Sequence, residues 1–312
     1  MGKATEIAHN VWLGPTPDMN LAYPEYTNAT AFDLLIEAND LATPLEPSTL
    51  SHVAAQSFSA PQCIDFPSSG SIIAQSSSDA EIDSLTRMCR WMYRLANQNQ
   101  DESSDEEPFY SDMDGDIPMR NLAPSPRKIL LHCADGYTET TLLAVAYTMY
   151  AEEIPVHEAW LHLHREKKRD FFAYPSDVLL LRTLEAYLIP TLPTCSKRGR
   201  KVPAREVPAW LGKMDGSLPS RILPYLYLGS VNHANNPELL KELGIRQVLS
   251  IGERTTWNPS QTKAWGMKEG TVLFIDGVQD NGVDPLIREF GRSLAFIGKS
   301  PIPGHLLGPA RG

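Results

Sequence analysis

One cysteine stands between a predicted strand and a predicted helix. Residues 128–147 read "KILLHCADGYTETTLLAVAY", in which a buried strand leads to His132 and Cys133 and a helix begins at Thr140. Gly136 allows a tight turn between them. Loop amides and a helix N-terminus that face a cysteine stabilise its thiolate and bind oxyanions. The layout is therefore typical of a phosphate-binding loop with a cysteine nucleophile.

The loop lacks the cation that this chemistry needs. Phosphoryl transfer to sulfur calls for an arginine that binds two phosphate oxygens, but Glu139 stands six residues after Cys133 and Asp135 adds a second acid. Two unit charges about 4 Å apart interact by about 4 kcal/mol at an effective dielectric constant near 20. Replacing attraction by repulsion therefore weakens phosphate binding by roughly twice that amount. We expect Cys133 to be a degenerate nucleophile.

Other interpretations of the loop stay open at this point. Weak turnover through Cys133 is one, and a loop that holds a cation or a basic peptide is another. Lys167, Lys168 or Arg169 could also supply the missing positive charge, although cations at a helix end are common without such a role.

The motif "HCADGYTET" resembles the His-Cys-x5-Arg-Ser/Thr signature of the dual-specificity protein phosphatases, in the cysteine-based protein tyrosine phosphatase superfamily. His132, Cys133, Gly136 and Thr140 match the signature, and Glu139 replaces its arginine. The resemblance implies removal of phosphate from Tyr and Ser/Thr of proteins through a phosphocysteine, with no metal and no cofactor. The phosphate loop would comprise His132, Ala134, Asp135, Gly136, Tyr137, Thr138, Glu139 and Thr140.

A second part of the chain repeats features of the first. The stretch "NVWLGPTPD" corresponds to "YLYLGSVNH", and each precedes an Asp-bearing loop, with Asp65 in "CIDFP" and Asp280 in "VQDNG". The resemblance places Asp280 at the general-acid position of the second copy and makes Asp65 a possible general acid of the first. The arrangement is similar to that of fungal two-domain dual-specificity phosphatases, which implies a role in cell-cycle signalling.

We predict an α/β fold with a mixed sheet flanked by helices, present as one degenerate copy followed by a second, truncated copy. Residues 1–192 would form the first domain, with an acidic insert at 97–121. Residues 193–213 would be a basic linker, 214–297 a partial second domain and 298–312 a tail rich in Gly and Pro. In the family, the catalytic cysteine follows the acid by a distance that, counted from Asp280, reaches the end of this chain. Our hypothesis is a truncated gene model, a retained intron or an early stop codon.

Hydrophobic periodicity predicts the helices. We expect them at residues 30–42, 79–98, 140–153, 156–168 and 175–188, with strands at 10–15 and around 62–67. The histidines at 157, 162 and 164 do not share a helical face, so we predict no metal site there.

Composition excludes several classes of protein. The net charge is −10, and residues 97–121 supply −7 of it through eight acids and one arginine. An acidic chain disfavours nucleic-acid binding, and no apolar run reaches 18 residues, so we predict no membrane span. Four cysteines at irregular spacing (Cys63, Cys89, Cys133 and Cys195) indicate free thiols in a reducing compartment.

The expected location is the cytoplasm, the nucleus or both. The basic cluster "KRGRK" at 197–201 is either a nuclear-import signal or a solvated connector. Ser103 and Ser104 precede acids, as in acidophilic kinase sites, although a solvated loop is the simpler interpretation.

We expect the chain as it stands to be a pseudophosphatase, because its first domain lacks the loop arginine and its second domain lacks the cysteine loop. Two functions remain for the whole chain. The full product is either an active phosphatase through its second domain or a binding module whose first domain docks phosphoproteins or other protein partners.

Overall fold

The computed structural model describes the chain in two compact units, Met1–Glu206 and Val207–Gly312. The described residues are 3–17, 31–56, 60–71, 79–97, 125–188, 207–214, 216–266, 268, 270–279, 281, 283 and 286–298. No described helix is both long enough and apolar enough to cross a bilayer.

The first unit is built on a mixed five-stranded sheet. Its strands are β1 (Thr5–Ala8), β2 (Val11–Pro15), β3 (Leu34–Asn39), β4 (Gln62–Pro67) and β5 (Ile129–Cys133). The order is β1-β2-β5-β3-β4, in which β1 pairs antiparallel with β2 and every other pair is parallel. The strand that ends in Cys133 is therefore central, and all five of its residues are buried.

Five helices of the described residues flank this sheet. They are α1 (Pro47–Ala55), α2 (Asp79–Asn97), α3 (Thr141–Glu152), α4 (Val156–Arg165) and α5 (Pro175–Leu188). Helix α3 follows the cysteine loop and packs against α2, α4 and α5, so ten of its residues are buried. The predicted α/β fold, a sheet flanked by helices, is confirmed for this unit. Four of the predicted helices are also confirmed, with ends that differ by no more than three residues.

The helix predicted at residues 30–42 is wrong, because Leu34–Asn39 is strand β3. This strand pairs with β4 on one side and β5 on the other, and Leu34, Leu35 and Ile36 are all buried. A strand covered on both faces shows a continuous apolar run instead of alternation, and such a run resembles a buried helix.

The second unit contains fewer paired strands. Strands β6 (Ser220–Leu223) and β7 (Leu226–Leu228) form an antiparallel pair, and β8 (Val248–Ile251) and β9 (Val272–Ile275) form a separate parallel pair. Its α-helices are α6 (Val231–Ala234), α7 (Pro237–Glu242), α8 (Pro259–Trp265) and α9 (Phe290–Ile297). Among the described residues, no strand joins β7 to β8 as β5 joins β2 to β3. The second, truncated copy therefore stays a prediction.

The linker prediction needs a correction at its C-terminal end. Residues 207–213 lie in the second unit, where Leu211–Lys213 form a 3-10 turn and Trp210 is buried. The Trp210 carbonyl accepts a hydrogen bond from Asn236 Nδ2 at 3.1 Å, which ties this segment to α7. The rest of the linker, the acidic insert beyond Asn97, Asp280 and the tail beyond Gly298 lie outside the described residues.

Arg127, next to β5, is a buried cation that caps α1. Its guanidinium donates to the carbonyls of Val53, Ala54 and Gln56 at 2.6–3.0 Å. We predict that Arg127→Met lowers the free energy of unfolding by about 3 kcal/mol, because three buried carbonyls lose a charged donor. Urea unfolding measures this change. The exposed Arg182→Met should change stability by less than about 0.5 kcal/mol, and equal effects of both variants would contradict the capping role.

Candidate active site

The cysteine loop runs from the end of β5 to the start of α3. Gly136 has φ +70°, and a Cβ there would lie 2.3 Å from the carbonyl carbon of Gly14 on β2. Only glycine fits this turn, because a side chain would be strained and would also overlap the neighbouring strand. The predicted tight turn at Gly136 is confirmed.

Backbone contacts hold the loop against its neighbours. The amide of Thr16 donates to the Cys133 carbonyl at 2.8 Å, and the amide of Ser69 donates to the Glu139 carbonyl at 2.9 Å. Ser69 Oγ in turn accepts from the Leu142 amide at 2.7 Å, in the first turn of α3. These contacts fix the loop through its main chain and do not depend on the side chain at position 139.

Two carboxylates lie beside the thiol. The ligand atoms of Cys133, Asp135 and Glu139 are all within 4.8 Å of one another. The thiol donates a long hydrogen bond of 3.6 Å to Asp135 Oδ1, which also accepts from the Tyr137 amide at 2.9 Å. An arriving phosphate would therefore meet negative charge directly above the sulfur.

Burial raises the pKa of the Cys133 thiol, and the hydrogen bond and negative charge of Glu139 raise it further. The backbone amides of Tyr137 and Asp135 act in the opposite direction but do not outweigh these causes. A nucleophilic cysteine needs a lowered pKa. The loop thus holds its cysteine as the neutral thiol.

Arg169 is the basic residue that reaches the loop. Its Nη2 donates to the Gly136 carbonyl at 2.6 Å. Burial lowers the pKa of Arg169, and the nearby Cys133, Asp170 and Asp135 oppose that shift. The guanidinium therefore lies within electrostatic reach of the sulfur, as one of the open interpretations of the sequence required.

The Thr140 hydroxyl forms a hydrogen bond within the loop. It donates to the Tyr137 carbonyl at 3.2 Å, and the hydroxyl of Thr141 does the same at 3.1 Å. Both hydroxyls close the first turn of α3 and stabilise the loop. His132 is buried beside the cysteine, with Nδ1 at 3.4 Å from Thr16 Oγ1.

The assignment of Asp65 as a general acid stays a prediction, and the sheet register argues against it. Asp65 lies within β4, where its carboxylate accepts from Asn39 Nδ2 at 3.4 Å. The parallel pairs begin at Leu34↔Gln62 in the first unit and at Val248↔Val272 in the second. Counted from these starts, Asp65 in the first unit corresponds to Ile275 in the second, and Gly70 corresponds to Asp280. The position of the predicted acid in the second copy is thus a glycine in the first.

Sequence reasoning did not identify Ser69 and Asp177 as part of this site. Asp177, on α5, is buried and accepts from the amides of Gly70 and Tyr174, both at 3.1 Å. Burial raises the pKa of the Asp177 carboxyl, and the two amides oppose that shift. Through its hydrogen bond with Gly70, Asp177 holds residues 68–70 against the cysteine loop. An acid two residues after a helix-opening proline was the available signal, but it does not reveal a partner 107 positions away.

Comparison with known proteins relates the chain to one phosphatase. The chain is 29% identical over 236 residues to the dual specificity protein phosphatase PPS1 of Saccharomyces cerevisiae. The chain is a relative of a dual-specificity protein phosphatase. The similarity covers 62% of this chain but 29% of the yeast protein, so the chain spans less than a third of that relative. No protein-family model matches the chain.

Solved phosphatase structures also resemble the chain, at low scores. The active form of Tk-PTP is 16% identical with a TM-score of 0.35, over 59% of this chain and 96% of that one. A variant of human DUSP28 is 14% identical with a TM-score of 0.34, over 61% and 99%. These scores add nothing to the sequence relationship.

The thiol's protonation gives a first test. Glu139→Gln removes a negative charge beside the sulfur, so the pKa of Cys133 should fall and its alkylation by iodoacetamide should begin at lower pH. Mass spectrometry of the alkylated peptides follows Cys133 separately from the exposed Cys63, whose pH profile should not move. Identical profiles of Cys133 in the two proteins would contradict the influence of Glu139.

A second test concerns His132. Burial lowers its pKa to about 4, and the Asp65 charge opposes this shift. Between pH 6.5 and about 4 the unfolded chain takes up a proton that the folded chain excludes, so stability falls as the pH falls through that window. Between pH 7 and 4.5, the free energy of unfolding of wild type should fall by about 2 kcal/mol more than that of His132→Asn, as measured by urea unfolding. The exposed His9→Asn should behave as wild type, and an equal loss in His132→Asn would refute the assignment.

Proposed function

We propose that the first unit is a pseudophosphatase, a phosphatase-like domain that binds a protein partner and does not hydrolyse phosphate. The observation that carries the proposal is the placement of the Asp135 and Glu139 carboxylates within 4.8 Å of the Cys133 sulfur. A phosphoryl group with two negative charges is repelled there. Position 139 also lacks the arginine that would bind its oxygens. The relationship to a dual-specificity phosphatase supports the origin of the loop.

The proposal for the whole chain is a tandem arrangement in protein dephosphorylation and cell-cycle signalling. The first unit would dock phosphoproteins or other protein partners, and the second would carry the general acid Asp280. Support comes from the resemblance of the two sequences and from the antiparallel and parallel strand pairs present in both units.

One observation favours a second candidate function, weak phosphatase activity through Cys133. The Arg169 guanidinium donates to the Gly136 carbonyl of the loop and interacts electrostatically with the Cys133 sulfur. One cation against two carboxylates leaves the loop negative, so we rank this function second.

Hydrolysis of p-nitrophenyl phosphate separates these functions. The full chain should show no turnover above that of Cys133→Ser. Glu139→Arg should raise kcat/KM by about a hundredfold, because it restores a cation that binds the transition state. The matched variant Glu139→Gln removes the acid without adding a cation and should gain much less.

Two outcomes would contradict the proposal. Wild-type turnover that Cys133→Ser abolishes would show an active enzyme, and its loss in Arg169→Gln would then identify the cation responsible. A vanadate ion bound at the Cys133 sulfur of wild type, at micromolar concentration, would show that the loop still binds oxyanions.

A further inference from the structure

The cysteine and the two carboxylates beside it differ in chemistry but suit one kind of ligand. A thiol and two carboxylates within 4.8 Å of one another are the donor types that coordinate a transition-metal dication. We propose that Cys133, Asp135 and Glu139 form a binding site for a divalent cation of the zinc class. The inference deepens the proposed function, since it names a ligand for a loop that repels phosphate.

The distances fit such an ion with small movements. Zinc binds a thiolate sulfur at about 2.3 Å and carboxylate oxygens at about 2.0–2.2 Å. Donor atoms of one tetrahedral site are then about 3.3–3.8 Å apart, so atoms already within 4.8 Å have to approach one another by only about 1 Å.

Two of the donors are already oriented. The Tyr137 amide holds Asp135 Oδ1 at 2.9 Å, and the Cys133 sulfur points to the same oxygen at 3.6 Å. Outer hydrogen bonds of this kind fix the direction of a metal-binding carboxylate. The Asp135 side chain is also exposed, which leaves room for water at a fourth coordination position.

The local charge favours a cation. The two carboxylates carry two negative charges, and the sulfur adds a third once an ion displaces its proton, whereas Arg169 supplies one positive charge and the α3 N-terminus about half of one. A dication takes the place of the thiol proton and neutralises the excess. The charge that excludes phosphate therefore attracts a metal ion.

The donor set also selects the ion. Mg²⁺ and Ca²⁺ prefer sites made of oxygen alone, whereas a thiolate beside carboxylates suits Zn²⁺ and its spectroscopic substitute Co²⁺. With three protein ligands and one open position, the site has the coordination of an accessible zinc site.

Titration of the metal-free full chain with Co²⁺ tests the proposal. We expect one ion per chain with a thiolate-to-cobalt charge-transfer band, displaced by Zn²⁺. Cys133→Ser should abolish the band, and Asp135→Asn and Glu139→Gln should each weaken binding at least about tenfold. Cys63→Ser and Cys195→Ser are matched controls that should keep both band and affinity. Arg169→Gln should strengthen binding, because it removes the opposing cation.

The contrary results are equally definite. No band in wild type, a band that persists in Cys133→Ser, or unchanged affinity in both carboxylate variants would overturn the site. Glu139→Gln preserves side-chain size, so weakened binding at an unchanged melting temperature supports the site even where Cys133→Ser unfolds. The phosphatase assay is run with a chelator, so its result does not depend on these titrations. Either proposal can therefore fail while the other stands.

Discussion

The chemistry of the cysteine loop depends on two carboxylates, those of Asp135 and Glu139, that lie beside one sulfur. Cys133 lies at the end of the central strand, where loop amides would ordinarily stabilise a thiolate. Burial and Glu139 together outweigh those amides and keep the proton on the sulfur. A protonated, anion-repelling cysteine is a poor nucleophile for phosphorus, whatever the quality of the surrounding scaffold.

The scaffold tolerates this chemistry because it holds the loop through backbone groups. Gly136 packs against β2, Ser69 binds the Glu139 carbonyl, and Arg169 binds the Gly136 carbonyl. None of these contacts uses the side chain at position 139. The shape of the loop is therefore compatible with an acid at position 139, and a fold of this kind does not by itself imply an activity.

Local pattern predicted the strand, loop and helix around Cys133, since an apolar run, a glycine and a helical period occur in sequence there. It failed at β3, where burial on both faces removes the alternation that marks a strand. The site could be predicted only within the loop itself. The contacts of Ser69 and Asp177 depend on residues brought together across 73 and 107 positions, and local pattern carries no information on them.

The two units differ in how their described strands pair. In the first unit β5 pairs on both sides, and its neighbours β2 and β3 bury their apolar residues. In the second unit, where the described strands form two separate pairs, Leu228 on β7 is 68% exposed and Leu294 on α9 is 66% exposed. These apolar side chains remain in contact with solvent, at a cost of roughly 25 cal/mol for each Å². The strand that presents the cysteine in the first unit is thus also the element that completes its core.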